Sequence, residues 1–254
     1  MTTSAHDLAT LGAAPIDVWR ISLAVGAAHL ADYWAILSPS ERECTERLRA
    51  ADQRRRRLAA QGALRWVLAR YLDVSPKALR FAHGDHGKPR LADTAPDQGL
   101  VFNLTHSGDE ALLAVGRDLA LGIDLELRRP LGRLDAMAER CLAPCELLYW
   151  RALPRAERLP AFFDSWTAKE AFAKATGRGL SLGLTRCVLA PCPEPRLASI
   201  PEQHGAAGEW GLWRLDLGAQ FSATLCARTQ AAQIRMVRFA PRPPPLHPSG
   251  DPFP

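Results

Sequence analysis

The sequence predicts an α+β protein, and three observations carry that expectation. Two long stretches, at 38–71 and 159–176, place apolar residues at helical spacing. Each is followed by a group of short, turn-bounded runs with strand character. The separations within the first group are short enough for antiparallel neighbours. The order helix then strands thus occurs twice, which suggests a topological repeat, although no convincing residue-level repeat accompanies it.

Taken in order, Val18 to Val25 alternates apolar and polar residues as a half-buried strand does. Ser38-Pro39-Ser40-Glu41 is a helix start, and Leu48, Leu58, Leu64, Val67, Leu68 and Tyr71 continue it as one long helix or two consecutive ones. Arg54 to Arg57 would point around most of such a helix, so a solvated face is the simplest expectation. Residues 81–96, rich in Gly, His, Asp and Pro, predict a loop, and His83 and His86 lack companions for a zinc site. Strands are expected at Leu100–Thr105, Ala111–Val115 and Leu119–Leu127, then helices at Asp135–Trp150 and Leu159–Thr176, the latter closed by Gly177. Further strands are expected at Arg186–Leu189, Trp210–Asp216, Phe221–Ala227 and Ile234–Phe239. The proline-dense tail, 240–254, is expected to be disordered.

Composition narrows the function classes. The chain has 254 residues, 47% hydrophobic and 23% charged, enough for a substantial core and incompatible with wholesale disorder. No run approaches the roughly 20 apolar residues that cross a bilayer, and the opening lacks both parts of a secretory leader, so the expectation is a cytoplasmic protein that does not enter membranes. The six cysteines form no C-x-x-C pair or compact framework and are expected to be buried free thiols. Thirty-two Lys and Arg against 27 Asp and Glu give a net charge of +5, mild for a nucleic-acid binder and suited to a polyanionic small molecule. The arginine run has no interleaved aromatics, so no nucleic-acid partner is expected.

The sharpest motif is Gly122-Ile123-Asp124-Leu125-Glu126. Strand side chains alternate, so Asp124 and Glu126 share one face, where two carboxylates repel each other unless a cation such as a hard divalent metal joins them. A second motif, Trp166 to Lys174, is helical, with Glu170 and Lys174 four residues apart and therefore on one face. Three acids and a lysine suit magnesium shared with a polyphosphate, while Trp166 is expected to be core that positions Glu170.

The pair G-x-D-x-E and W-x-x-K-E-A-x-x-K, in this order and about forty residues apart, resembles the 4'-phosphopantetheinyl transferases of the Sfp type. Gly87-Lys88-Pro89 and Phe102-Asn103-Leu104-Thr105-His106-Ser107 also match, the latter with Thr105 where the family has serine, as does Arg65 in the first long helix. The resemblance implies two similar α+β lobes forming an intramolecular pseudo-dimer: residues 1–117, then 118–239 carrying the metal and catalytic motifs. It implies a monomer that transfers the 4'-phosphopantetheine of coenzyme A to a serine of an apo acyl or peptidyl carrier protein, releasing 3',5'-ADP. Asp124, Glu126 and Glu170 would hold Mg2+, Lys174 would contact the CoA pyrophosphate, and Glu170 would be the base. Arg65 and His106 would meet the 3'-phosphate end, Lys88 would lie along the nucleotide pocket, and Glu146 would be an acid near the carrier interface. Which of Arg49 and Arg54 to Arg57 reaches the nucleotide has no clear register. The rival reading is a non-catalytic CoA- or nucleotide-binding regulator of the same fold.

Overall fold

The computed structural model describes residues 14–84, 86–92, 99–190 and 195–241, with Leu180 and Ser181 described by backbone alone. The tail beyond 241, Cys192 and the opening segment lie outside the described residues. The first half opens with β1 (Ala14–Ser22), followed by three helices, α1 (Ala27–Ile36), α2 (Pro39–Glu46) and α3 (Ala51–Leu72). Two helices, not one, thus follow Ser38. Its hydroxyl accepts the Glu41 N–H at 3.3 Å while the Glu41 carboxylate accepts the Ser38 N–H at 2.7 Å, a reciprocal cap on α2. Arg54 then donates to the carbonyls of Leu48 and Arg49, in the break between α2 and α3. Gly62 lets α1 lie on α3, since a Cβ there would stand 2.1 Å from Tyr33 Cγ.

A small antiparallel pair, β2 (Phe81–His83) and β3 (Pro89–Leu91), occupies the stretch expected to be only loop. The turn between them carries the glycines that suggested a loop, and the apolar Phe81 and Leu91 flanking it pack on the α3 core. β4 (Leu100–Ser107) and β5 (Glu110–Arg117) complete this half as an antiparallel hairpin, each longer than expected.

The second half comprises β6 (Leu121–Leu127), α4 (Leu134–Cys141), α5 (Pro144–Ala152) and α6 (Arg155–Ala175), then β7 (Val188–Leu189) and β8 (Leu197–Ser199). It closes with β9 (Gly211–Arg214), β10 (Phe221–Ala227) and β11 (Ala232–Arg238). The single helix expected over 135–150 is broken at Leu142 and Ala143, because Pro144 cannot donate to a preceding turn and instead starts α5.

One topology is used twice. In each half a first strand leads through helices to a long helix and then to two antiparallel strands, and the sheet orders are β1-β5-β4 and β6-β10-β9. Helix α3 packs on the outer face of the first sheet and α6 on that of the second. The inner faces meet in a shared apolar layer containing Ile16, Val18, Leu112, Ile123, Leu125 and Leu225. The two halves are not fully separate: β11, expected with the second lobe, pairs in parallel with β1 and extends the first sheet, tied there by Arg235 to Asp17 at 2.8 Å.

A residue-level trace of the repeat exists after all. Leu37-Ser38-Pro39-Ser40-Glu41 and Leu142-Ala143-Pro144-Cys145-Glu146 each begin a helix, and each glutamate accepts the N–H three residues before it. Each also receives a buried cation from the long helix that follows. Arg65 donates to Glu41 at 2.7 Å, and Lys169 to Glu146 at 2.5 Å.

Candidate functional site

The site lies along the seam where α6 crosses β6. Alternation sends Ile123 and Leu125 into the layer between the sheets and leaves Gly122, Asp124 and Glu126 facing the helix. Gly122 is what brings the two elements together: a Cβ there would stand 2.1 Å from the Ala171 carbonyl oxygen and 2.4 Å from the Ala175 nitrogen. On α6 those alanines lie one position beyond Glu170 and Lys174, so close approach at Gly122 sets both beside the strand acids. Phe162, Phe163 and Phe172 bury the rest of the helix, with Trp166 half-buried against Phe162.

Asp124 is 5% exposed. Its Oδ1 accepts from Lys174 Nζ at 2.6 Å and from the Thr105 hydroxyl at 3.2 Å, whereas its Oδ2 is buried without a partner. Burial pushes the Asp124 carboxyl upward against the pull of Lys174. Glu126 accepts from the Ser107 hydroxyl at 2.9 Å, and burial raises it as well. Glu170 Oε1 is the second buried carboxylate oxygen with no partner. Burial, and then the charge of Asp124, pushes this carboxyl up to about 7. Desolvated acids that raise one another are the arrangement a cation relieves.

Lys174 also makes contacts within the protein. Its ammonium, 26% exposed, donates to Asp124, to Thr105 at 3.1 Å and to the Ile123 carbonyl at 3.2 Å, so it first of all holds β6 to α6. His106 points to the opposite side of β4 from Thr105 and Ser107, toward the basic run of α3. The surrounding protein, and after it the charges of Lys174, Arg56 and Arg57, hold the imidazole below its ordinary value. The run is partly exposed, and most of its arginines are partnered. Arg54 is spent on carbonyls, Arg55 on the Leu23 carbonyl and Asp109, and Arg56 on Asp109 at 2.9 Å. Arg57, by contrast, keeps a buried Nε without a partner.

One expected contact is corrected. Arg65 does not face the site: at 1% exposure it donates to Glu41 and to the Pro76 and Leu79 carbonyls and lies over the Phe81 ring, so its donors are consumed inside the first lobe. Glu146, expected near the carrier interface, is mostly buried. It binds Lys169 and the Ala143 and Leu189 N–H groups, joining α5 and β7 to α6. Lys88 stays close to the site as a strut from the β2–β3 turn, donating to the Leu121 carbonyl at 2.7 Å and the Lys174 carbonyl at 2.8 Å. Desolvation lowers its amine to about 8. Of the cysteines, Cys141, Cys187 and Cys226 are buried free thiols as expected, while Cys44 and Cys145 are exposed. No helix among the described residues is long and apolar enough to cross a membrane.

The donor set fits a hard, partly hydrated cation. Among the described residues no three His, Cys, Asp or Glu side chains already form a metal cage. Magnesium does not need one, since it keeps waters and shares its shell between one or two carboxylates and substrate phosphates. The two unpartnered buried oxygens, on Asp124 and Glu170, are carboxylate donors of that kind.

Comparison with known proteins gives the same motifs a context. A model of the 4'-phosphopantetheinyl transferase superfamily matches residues 120–226, and one for the N-terminal part of 4'-phosphopantetheinyl transferases matches 26–117. The 4'-phosphopantetheinyl transferase HetI of Nostoc is 38% identical over 193 residues, 76% of this chain and 81% of the relative. The transferase Sfp of Bacillus subtilis is 30% identical over 152 residues, 60% of this chain and 65% of its own length. Similarity of this extent to HetI, spanning both halves of the repeat and the acidic seam between α6 and β6, shows that the chain belongs to the 4'-phosphopantetheinyl transferase superfamily.

Proposed function

We propose that this protein transfers the 4'-phosphopantetheine group of coenzyme A to a serine of an apo acyl or peptidyl carrier protein and releases 3',5'-ADP. The observation that carries this reading is the pair of unpartnered buried carboxylate oxygens, on Asp124 and Glu170, beside an amine. Asp124, Glu126 and Glu170 would hold Mg2+, which when bound offsets the charge of the pyrophosphate and of the leaving phosphate. In the transfer, the serine oxygen bonds to phosphorus as the bond from phosphorus to the departing 3',5'-ADP oxygen breaks. Glu170, whose Oε1 is buried without a partner, would take the serine proton. Lys174 fixes Asp124 and adds positive charge where the leaving group gains negative charge. Arg57 and His106, on the α3 side of β4, would receive the 3'-phosphate end of the nucleotide.

A non-catalytic CoA binder would have no use for buried acids that repel one another, so the enzyme is the better reading. Its test is intact-mass spectrometry of apo acyl and peptidyl carrier proteins incubated with this protein, CoA and Mg2+. A gain of one phosphopantetheine that EDTA abolishes is the expected result. No gain on any carrier, together with measurable CoA binding, would favour the binder. For Arg57→Ala, KM for CoA should rise about tenfold with little change in kcat, the signature of a lost ground-state contact.

A further inference from the structure

A carboxylate that shares a metal ion works best with one oxygen tied and the other left open, because the tie fixes its orientation before the ion arrives. We propose that Asn103, Thr105 and Ser107 of β4 form a rack that orients Asp124 and Glu126 in this way, so that all three are positioning residues. The inference rests on the metal role assigned to those acids above.

β4 ends one sheet and β6 ends the other, so the two strands meet without a shared backbone ladder. Side chains take its place at regular intervals. The Asn103 Oδ1 accepts the Ile123 N–H at 2.8 Å. Two residues on, the Thr105 hydroxyl donates to Asp124 Oδ1 at 3.2 Å. Two further on, the Ser107 hydroxyl donates to Glu126 Oε2 at 2.9 Å and accepts the Leu127 N–H at 3.0 Å. Alternation along β4 puts these three residues on one face, opposite the face of His106. The bonds have two effects: they anchor the backbone of β6 at Ile123 and Leu127, and they occupy one oxygen of each acid between those points. For Asp124 the result is explicit, since the oxygen turned away from Thr105 and Lys174 is the buried one without a partner. Thr105 has a further duty, because its oxygen also accepts from Lys174, so a single hydroxyl sets the acid and its counter-charge together.

The test uses the full chain and Mn2+ alone as probe, with free Mn2+ followed by electron paramagnetic resonance during a titration. Thr105→Val keeps the shape of the side chain and removes the hydroxyl; Ser107→Ala removes the other tie. Each should weaken Mn2+ binding by about tenfold, the usual loss when a carboxylate's outer partner is removed, whereas Thr105→Ser should stay within about twofold of wild type. A purely structural role would lower the melting temperature of Thr105→Val without changing the Mn2+ affinity of the folded protein. Wild-type Mn2+ affinity in both Thr105→Val and Ser107→Ala would overturn the rack while leaving the metal site standing. Absence of Mn2+ binding by the wild-type protein would instead sink the metal assignment, and the rack with it. Should Thr105→Val fail to fold, Ser107→Ala decides the question through Glu126 alone.

Discussion

The two lobes use one frame for different ends, and the long helices show how. In the first lobe α3 lies on β1 through Trp19 and Ile21, an apolar seam; in the second, α6 lies on β6 through Gly122, Asp124 and Glu126. Both helices send a buried cation to a glutamate in the first turn of a neighbouring helix, Arg65 to Glu41 and Lys169 to Glu146. The residue after that cation differs. It is Trp66, packed on the first core, in one lobe and Glu170, with an unpartnered buried oxygen, in the other. The structural ion pair is common to both halves, and the proposed chemistry resides where acids stand in place of the apolar seam. The second lobe therefore places mutually repelling acids where the first has an apolar seam.

The sharpest way to break this comparison is to remove the acids. Asp124→Ala and Glu170→Ala should each lower transfer by about a thousandfold or more, as expected when charge stabilisation at a reacting phosphate is lost, while Trp66→Ala should leave the chemical step nearly untouched. Carrier modification measured by intact mass checks all three. The paired cations should behave alike and structurally: Arg65→Met or Lys169→Met strands a mostly buried glutamate and should cost about 3–5 kcal/mol in urea unfolding. An effect of Lys169→Met confined to turnover, with unfolding unchanged, would break the equivalence. Gly122→Ala forces a methyl against the backbone of α6 and should cost about 1–3 kcal/mol, an overpacking effect that a thermal melt can read.

The gentlest probe is a pH slope. The Glu170 carboxyl lies at about 7 in the folded chain against an ordinary 4.5. Between those values the folded protein holds a proton that the unfolded chain has released, so the linkage is negative. Its contribution to metal-free stability is full below pH 4.5 and is lost as pH rises through about 7. Melting curves of wild type and Glu170→Gln across that window should differ by this slope.

Much of this was legible from residues. The α+β class, the helix-then-strand order in both halves and the segment 221–227 as a strand followed from periodicity, since strong alternation or helical spacing leaves few alternatives. The shared face of Asp124 and Glu126 followed from the strand period alone. What escaped had long-range causes. The donors of Arg65 go to Glu41 and to carbonyls at Pro76 and Leu79, partners that no local pattern announces. The partner of Glu146 is Lys169, 23 residues further on, which local spacing does not announce. The Leu-x-Pro-x-Glu repeat is five residues long and recurs more than a hundred positions later, too little to stand out without the ion pairs that give it meaning. β11 crossed to the first sheet because an edge of β1 was open there, a matter of topology and not of its own sequence.

The most direct test of the acidic seam is the thermal stability of Glu170→Gln against wild type, without metal and with saturating Mg2+ and CoA, at pH 8. Without metal the variant should melt higher, because it removes a buried charge that Asp124 and Glu126 repel. With Mg2+ and CoA the order should reverse, because wild type gains a bound cation that the variant holds poorly. A variant less stable than wild type in both conditions by the same margin would contradict the account, and would make Glu170 an ordinary structural residue of α6.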